Sequence, residues 1–172
     1  MSNLIVKRDF ISYKNILMSV VFLTMTVLVS SVKAEDLTVY SNFGELWGGP
    51  RVKGGDDGRG YYRFRSSKLS FTENGAIIGD SYLVSFVVGY DKATHKDRRE
   101  YFDVANLTDG SIWIKGLVKV PHKAVIVPPD YKFTGVIVGG TKGYEHISGT
   151  YEAQLAPDGK AVVTVYHIVR PD

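Results

Sequence analysis

Few ionisable residues interrupt the apolar segments of this chain, and four of them are the candidates for chemistry. They are Glu100, Asp103, Glu152 and His167. A carboxyl group enclosed by apolar side chains acquires a raised pKa and can act as a general acid or base near neutral pH. Asp103 shares one face of its segment with Tyr101, and either face could point inward. Glu152 shares a face with Thr150 and Gln154, which predicts that it faces solvent. His167 lies among alternating valines, which predicts that its ring faces inward.

Tyrosine is frequent, with 11 in the chain. An aromatic ring with a hydroxyl at its tip suits a cavity that holds an apolar ligand and orients it through one hydrogen bond, although core packing explains a tyrosine equally well. We therefore predict one internal ligand-binding pocket. Its residues are Tyr82, Tyr101, Asp103, Tyr151 and His167.

Other kinds of site find little support in the sequence. The histidines His95, His122, His146 and His167 show no metal-ligand spacing. The chain has no cysteine, so neither a thiolate metal site nor a cysteine nucleophile is expected. We expect no metal and no cofactor. Serine, histidine and aspartate are present without a strand-to-helix nucleophile turn, so hydrolysis is not favoured.

The N-terminal segment has the anatomy of a removable export signal. Basic residues precede the apolar run 16–29, and Val32 and Ala34 occupy the small-residue positions before a cleavage site. The run has 14 residues, fewer than the about 20 that cross a bilayer as a helix, which favours cleavage over a membrane anchor. We predict a signal peptide over 1–34 and one mature domain over 35–172, secreted to the periplasm or outside the cell, with no membrane span after processing.

Charge argues against a nucleic-acid partner. The chain has 21 basic and 18 acidic residues, but the predicted leader holds four of the basic residues and one of the acidic residues. The mature domain is therefore left with 17 of each. Its formal neutrality means that the basic character of the whole chain belongs to the targeting segment.

The mature sequence consists of short alternating segments separated by turn signals, with no helical period. Segment 44–60 is glycine-rich and predicts a flexible loop, and the charged segment 91–99 predicts a solvated hairpin end. The turn pairs Asn74-Gly75, Asp109-Gly110 and Asp158-Gly159 predict tight hairpins. The predicted strands cover residues 37–41, 61–71, 76–90, 100–107, 111–120, 131–138, 149–156 and 160–170.

Eight antiparallel strands joined by short turns predict a closed up-and-down β-barrel, calycin-like in form, with room for one small ligand. A two-sheet sandwich is the alternative, but closure removes exposed strand edges. Residues 44–47 also resemble the start of lipocalins, although the motif is one residue too long. Lipocalins also place a helix near the C-terminus, where this chain has a strand, so this barrel family comes second.

One segment carries a family resemblance. Residues 139–149 read Gly-Gly-Thr-Lys-Gly-Tyr-Glu-His-Ile-Ser-Gly between two predicted strands, and residues 111–116 form a strand that ends in a glycine. These features resemble the glycine-rich signature of the allene oxide cyclase and dirigent superfamily of eight-stranded barrels. The similarity extends over about residues 82–169 and implies a ligand inside the barrel. Tyr144 would then plug one barrel end.

The sequence departs from both branches of that superfamily. Dirigent proteins usually carry arginines after the aromatic residue, where this chain has Glu145 and Ser148. Allene oxide cyclases have a glutamate and an asparagine on the first strand, where residues 40–42 offer only Asn42. We therefore predict a secreted barrel that binds a small hydrophobic molecule, with no activity assigned. The alternative is a cyclase or isomerase that guides ring closure of a reactive apolar substrate. A small apolar ligand is the expected partner, and a homo-oligomer is left open.

Overall fold

The computed structural model describes residues 32–48, 62–122 and 131–171, including all their side chains except those of residues 43–48. The predicted signal peptide lies outside these ranges apart from residues 32–34. Its cleavage therefore stays a prediction.

Eight strands form one closed barrel, in which each strand pairs antiparallel with its neighbours in sequence and the last strand closes on the first. The predicted barrel is confirmed, and the sandwich is excluded by this closure. One 3-10 turn, Lys142–Tyr144, lies between the sixth and seventh strands. The strands are β1 Lys33–Gly48, β2 Tyr62–Ser70, β3 Gly79–Asp91, β4 Lys96–Leu107, β5 Gly110–Pro121, β6 Lys132–Gly140, β7 Ser148–Leu155 and β8 Ala161–Arg170.

Alternating side chains explain why these segments form a barrel wall. In β5, Ile112, Ile114 and Val120 are buried, whereas Trp113 and Lys115 between them are exposed. Successive side chains of a strand point to opposite faces, so a period of two places one set inside and the other outside. The apolar inner set then drives closure because it can leave water only inside the barrel.

Two predicted connections differ from the structure. β3 ends at Asp91 and β4 begins at Lys96, so five of the nine residues of the predicted charged loop are strand. Asp97 and Arg99 are buried there, and the interpretation of 91–99 as a solvated hairpin end is wrong for these two side chains. They are buried because the two-residue alternation of β4 continues through them and turns both inward.

The predicted tight turn at Asn74-Gly75 is also wrong. β2 ends at Ser70 and β3 begins at Gly79, and only Asn74 of the pair has a positive φ, of 56°. The Gly75 amide donates to the Thr72 carbonyl at 3.0 Å, which makes a local turn inside a longer connection. By contrast, Leu107 pairs directly with Gly110 across a two-residue turn, so the hairpin predicted between β4 and β5 is confirmed.

The first strand is longer than predicted. β1 begins at Lys33 and continues to Gly48, with a shift in its pairing to β2 between Phe43 and Leu46. The first part of the predicted loop 44–60 is therefore strand, and its remainder lies outside the described residues. Such a bulge bends a strand and increases its twist, which suits a barrel wall.

Apolar side chains fill the part of the barrel near the 3-10 turn. Tyr144 of that turn is buried against the core cluster, as the plug predicted from the sequence. A Cβ atom at Gly140 would lie 2.7 Å from the Cβ of Tyr144, so this glycine lets the plug approach the wall. The core cluster also contains Val39, Leu69, Ala105, Ile112, Ile137, Ile147 and Ile168. The remaining part of the interior is a cavity.

The barrel cavity as a candidate ligand site

The cavity has a volume of about 400 Å³, within the range of about 300–1,000 Å³ that holds small molecules in proteins. Its walls differ in chemistry. The strands β5 to β8 supply mainly apolar side chains, including Ile114, Val118, Phe133, Leu155 and Val162. The strands β2 to β4 supply mainly polar ones, including Arg63, Arg65, Ser81, Ser85, Arg99 and Asp103.

Asp103 lies in the polar wall between two apolar cross-strand partners, Leu83 and Ile114. Its Oδ1 atom is buried and receives no hydrogen bond from the described residues. Burial raises the pKa of the Asp103 carboxyl to about 6, against the opposing effect of the positive Arg65 side chain. The same burial lowers the pKa of Arg65, while Asp103 raises it. A carboxyl group with this pKa can accept or release a proton near neutral pH.

Two tyrosine hydroxyls meet inside the cavity beside this carboxyl. Tyr151 Oη donates to Tyr101 Oη, and Tyr101 Oη donates to the Thr134 carbonyl at 3.3 Å. The two rings are edge to face, with centroids 6.3 Å apart. Burial raises the pKa of Tyr101 to about 12 and raises that of Tyr151 still further. Both phenols therefore stay protonated and serve as hydrogen-bond donors at neutral pH.

Two glycines on neighbouring strands make room for this pair. Gly116 of β5 and Gly135 of β6 are cross-strand partners. A Cβ atom at Gly116 would overlap the Tyr101 hydroxyl and lie 2.8 Å from the Tyr151 hydroxyl. The absence of side chains at these two positions is therefore what allows both phenols to reach the centre of the barrel.

A second polar cluster fixes Arg99 at the edge of the cavity. Asp97 Oδ2 lies 3.1 Å from Arg99 Nη2, and Asp97 Oδ1 lies 2.6 Å from Nδ1 of His122. The ring of Tyr90 covers His122 at a centroid distance of 4.5 Å. Because Asp97 is 2% exposed, these contacts hold the arginine in a defined position on the cavity wall.

The structure brings together three of the five residues predicted to form one pocket. Tyr101, Asp103 and Tyr151 line the cavity. Their contact with a ligand stays a prediction. The other two, Tyr82 and His167, do not reach the cavity. Tyr82 is 55% exposed, and its hydroxyl donates to Asp80 on the outer surface.

His167 also lies on the outer face, so the prediction of an inward ring is wrong. Its Nδ1 atom is 2.8 Å from Oδ1 of Asp36, and both side chains are substantially exposed. The inward side chains of β8 are instead the even-numbered ones, such as Thr164 and Tyr166. The valines that share the outer face of β8 with His167 are half-buried. In the sequence these apolar neighbours resemble a core face, which is why the ring was predicted to point inward.

The other two candidate acids also face outward. Glu100 pairs with Lys115 at 2.6 Å on the barrel surface, and Glu152 is exposed on β7. Neither side chain lines the cavity.

Sequence reasoning missed the cavity arginines. Arg63 and Arg65 alternate with the aromatic residues Tyr62 and Phe64, and hydropathy alone favours the aromatic members for the inner face. The structure has Phe64 exposed and both arginines on the cavity wall. A usable signal was present in β4, where the alternation through Tyr101 extends back to Arg99.

Two features are absent from residues 32–48, 62–122 and 131–171. No helix in these ranges is long and apolar enough to cross a membrane. No group of three or more histidine, cysteine, aspartate or glutamate side chains in the described part of the chain could hold a metal ion.

The fold occurs in proteins of known structure, although no family model and no curated protein matches the sequence. A pyocyanin demethylase is 19% identical, with a TM-score of 0.61 over 78% of this chain and 99% of that protein. The Diels-Alderase AbmU from Streptomyces koyangensis is 12% identical, with a TM-score of 0.52 over 96% of this chain and 84% of that protein. The dirigent protein GePTS1, a pterocarpan synthase, is 14% identical, with a TM-score of 0.53 over 80% of this chain and 84% of that protein.

The fold is that of the dirigent-like and cyclase barrels. The resemblance seen in residues 139–149 is thereby confirmed at the level of the fold. At these identities the comparison carries architecture only, so function must be argued from the site.

Proposed function

We propose that this protein is exported and holds a small hydrophobic molecule in the cavity of its barrel. The observation that carries the proposal is a preformed cavity of about 400 Å³ with an apolar wall on one side and a few polar groups on the other. Binding sites for small molecules combine these two features, because apolar burial supplies affinity and a few polar groups fix orientation. Export is supported by the leader anatomy of residues 1–34.

The polar groups suggest how such a molecule is oriented. The Tyr101–Tyr151 pair and Asp103 line the same cavity as the apolar side chains of β5 and β6, and Asp103 is a cross-strand partner of Ile114. A ligand with one oxygen or nitrogen function can place it at this cluster and leave its apolar body against Ile114, Val118 or Phe133. The hydrogen bonds from Tyr151 to Tyr101 and from Tyr101 to Thr134 keep the phenols in place without a ligand, which lowers the ordering cost of binding.

Native mass spectrometry of protein purified from its own host tests the proposal. We expect the parent to retain a small molecule at one per barrel. Ala153→Leu, which adds bulk at a cavity-lining position, should release it. Gln154→Leu on the exposed face of the same strand is the matched control and should retain it. A parent protein that retains no molecule and binds no added apolar probe would contradict the proposal.

A second candidate function is that of a cyclase or isomerase, and one observation favours it. Asp103 has a pKa of about 6 and lies in the same cavity as phenols that stay protonated. A carboxyl group that exchanges a proton near neutral pH inside a ligand-sized cavity is suited to proton transfer on a bound substrate. The shared fold of proteins named as a demethylase, a Diels-Alderase and a pterocarpan synthase supports small-molecule chemistry in such a barrel.

The pH dependence of turnover separates this candidate from simple binding. The assay uses the molecule recovered from the barrel and follows its conversion. If Asp103 is a general base, the rate should rise through about pH 6; if it is a general acid, the rate should fall. Asp103→Asn should abolish the inflection while still binding the molecule. Retention of an unchanged molecule at all pH values would support binding alone.

A further inference from the structure

The polar groups at the centre of the cavity differ in what they offer to a ligand, as donors or as acceptors of hydrogen bonds. Tyr101, Asp103 and Tyr151 all line the cavity. The Asp103 carboxyl group acts electrostatically on both phenols and raises the pKa of each. The three groups are therefore close enough to act on one bound molecule, and the positions of their protons decide which molecule suits them.

Both phenol protons are already used inside the protein. The Thr134 carbonyl can only accept, so the Tyr101 hydroxyl uses its one proton in the hydrogen bond to that oxygen, at 3.3 Å. Tyr151 must then be the donor in the contact between the two hydroxyls, and its proton is used as well. Towards a ligand, the two phenol oxygens therefore offer lone pairs and act as acceptors.

The Asp103 carboxyl group adds further acceptors. With a pKa of about 6 it is mostly ionised at pH 7.5, and an ionised carboxyl group accepts hydrogen bonds but donates none. The Val104 backbone amide donates to this carboxyl group. Its buried Oδ1 atom receives no hydrogen bond from the described residues. Leaving a buried acceptor without a donor is unfavourable, so a ligand that brings a donor to this carboxylate gains binding energy.

The cavity arginines do not fill this role. Arg63, Arg65 and Arg99 line the same cavity, and each of them interacts with other groups of the protein. The positive charge of Arg65 acts on Asp103, but Oδ1 of the carboxyl group still receives no hydrogen bond. The donor that suits the Asp103 carboxylate is therefore one that the ligand supplies.

We propose that the ligand of this cavity is an apolar molecule with an O–H or N–H group, which donates a hydrogen bond to the Asp103 carboxylate. This inference rests on the proposed function, since it names the class of molecule held in the same cavity. Alcohols, phenols and N–H heterocycles share the required chemistry. Ethers, ketones and hydrocarbons of the same size lack it, although they fit equally well against apolar side chains such as Ile114 and Phe133.

Two probes of matched shape test the inference. The first, 2-naphthol, has an O–H donor on an apolar ring system. In the second, 2-methoxynaphthalene, a methyl group replaces that hydrogen, so the oxygen remains an acceptor and the donor is lost. Isothermal titration calorimetry of the full mature protein at about pH 7.5 measures the affinity for each probe. Ala153→Leu, which adds bulk at a cavity-lining position, identifies the part of the binding that occurs in the cavity.

We expect the parent protein to bind 2-naphthol more tightly than 2-methoxynaphthalene. Asp103→Leu should weaken binding of 2-naphthol by at least about tenfold, because a hydrogen bond to a charged group is lost. The same variant should change the affinity for 2-methoxynaphthalene little. Asp103→Asn keeps an acceptor oxygen and should retain part of the preference for 2-naphthol, which guards against a leucine variant that fails to fold. Glu152→Leu removes an exposed carboxylate on β7 and is the matched control, with both affinities unchanged.

The possible failures are distinguishable. If the parent binds both probes in its cavity and Asp103→Leu leaves their relative affinity unchanged, the inference of a donor on the ligand is overturned and the proposed function stands. If neither probe enters the cavity of the parent, the proposed function fails and the inference fails with it.

Discussion

The asparagine variant of Asp103 offers the sharpest test of the cavity chemistry. Asparagine has nearly the same shape as aspartate and fills the same space on the cavity wall. The substitution therefore removes the ionisable group and little else. Burial raises the pKa of Asp103 from 3.8 to about 6, so the folded protein holds this proton more tightly than the unfolded chain does.

The sign and the size of the effect follow from linkage. Below about pH 4 the carboxyl group is protonated in both states, and its burial costs no ionic desolvation. Between about pH 4 and pH 6 the carboxyl group ionises in the unfolded chain but stays largely protonated in the folded protein. The free energy of unfolding therefore falls over this range. Above pH 6 the loss is complete, at about 3 kcal/mol for a pKa shift of this size. Asp103→Asn should therefore match the parent near pH 4 and exceed its unfolding free energy by up to about 3 kcal/mol at pH 8.

Urea denaturation at the two pH values measures this difference. Glu152→Gln removes an exposed carboxylate from the outer face of β7 and serves as the control, with unfolding free energies close to the parent at both pH values. An asparagine variant that is less stable than the parent at pH 8 would show that Arg65 stabilises the charged carboxylate. That result would refute the reasoning, because desolvation would then not be the dominant effect on Asp103.

Further predictions concern Gly116 in the cavity wall, the outer surface of the barrel and the N-terminal leader. Gly116→Ala should lower the unfolding free energy by about 1–3 kcal/mol, because its methyl group overlaps the Tyr101 hydroxyl. Gly89→Ala, whose methyl would approach other atoms no closer than 3.9 Å, should cost less in the same denaturation assay. Exposed apolar side chains in register on β2 to β4, such as Phe64 and Phe102, are where we expect a second copy to pack; Phe102→Glu should then lower the mass in sedimentation. Intact mass measurement of exported protein should give a chain that begins at Glu35, and a product that retains residues 1–34 would mean an anchor instead.

The architecture was predictable because its cues are local. Two-residue alternation marks each strand, and short turns between successive strands dictate antiparallel neighbours. The hairpin between β4 and β5 is an example. Leu107 and Gly110 pair across it, although its turn residues are Thr108 and Asp109, one position before the predicted pair Asp109-Gly110. Strand ends were predicted less well, and the longest error lies in β1, where the bulge between Phe43 and Leu46 has no simple local signal.

The cavity was predictable only in part, because a charged segment can be either a solvated turn or a strand whose charged side chains form a buried ion pair. Arg99 and Asp97 lie in a charged segment that is typical of a solvated turn. Their burial depends on each other and on His122, a residue 25 positions further along the chain. Such a long-range ion pair is not visible in a local pattern. The alternation with Tyr101 and Asp103 was the only local indication that both side chains turn inward.

The errors at Tyr82 and His167 have a different physical cause, since their strands are apolar on both faces and alternation alone cannot choose the inner one. Register makes that choice, because cross-strand partners point to the same side of a sheet. A single inward row runs round the barrel through Tyr101, Gly116, Gly135, Tyr151 and Tyr166. Once Tyr166 is inside, its neighbour His167 must be outside. The glycines are what fix this row, because only positions without side chains can face two phenols at the centre of the barrel. The site is therefore specified by the pairing of strands that are distant in the sequence. In the sequence, this pairing is visible only as the two glycines Gly116 and Gly135.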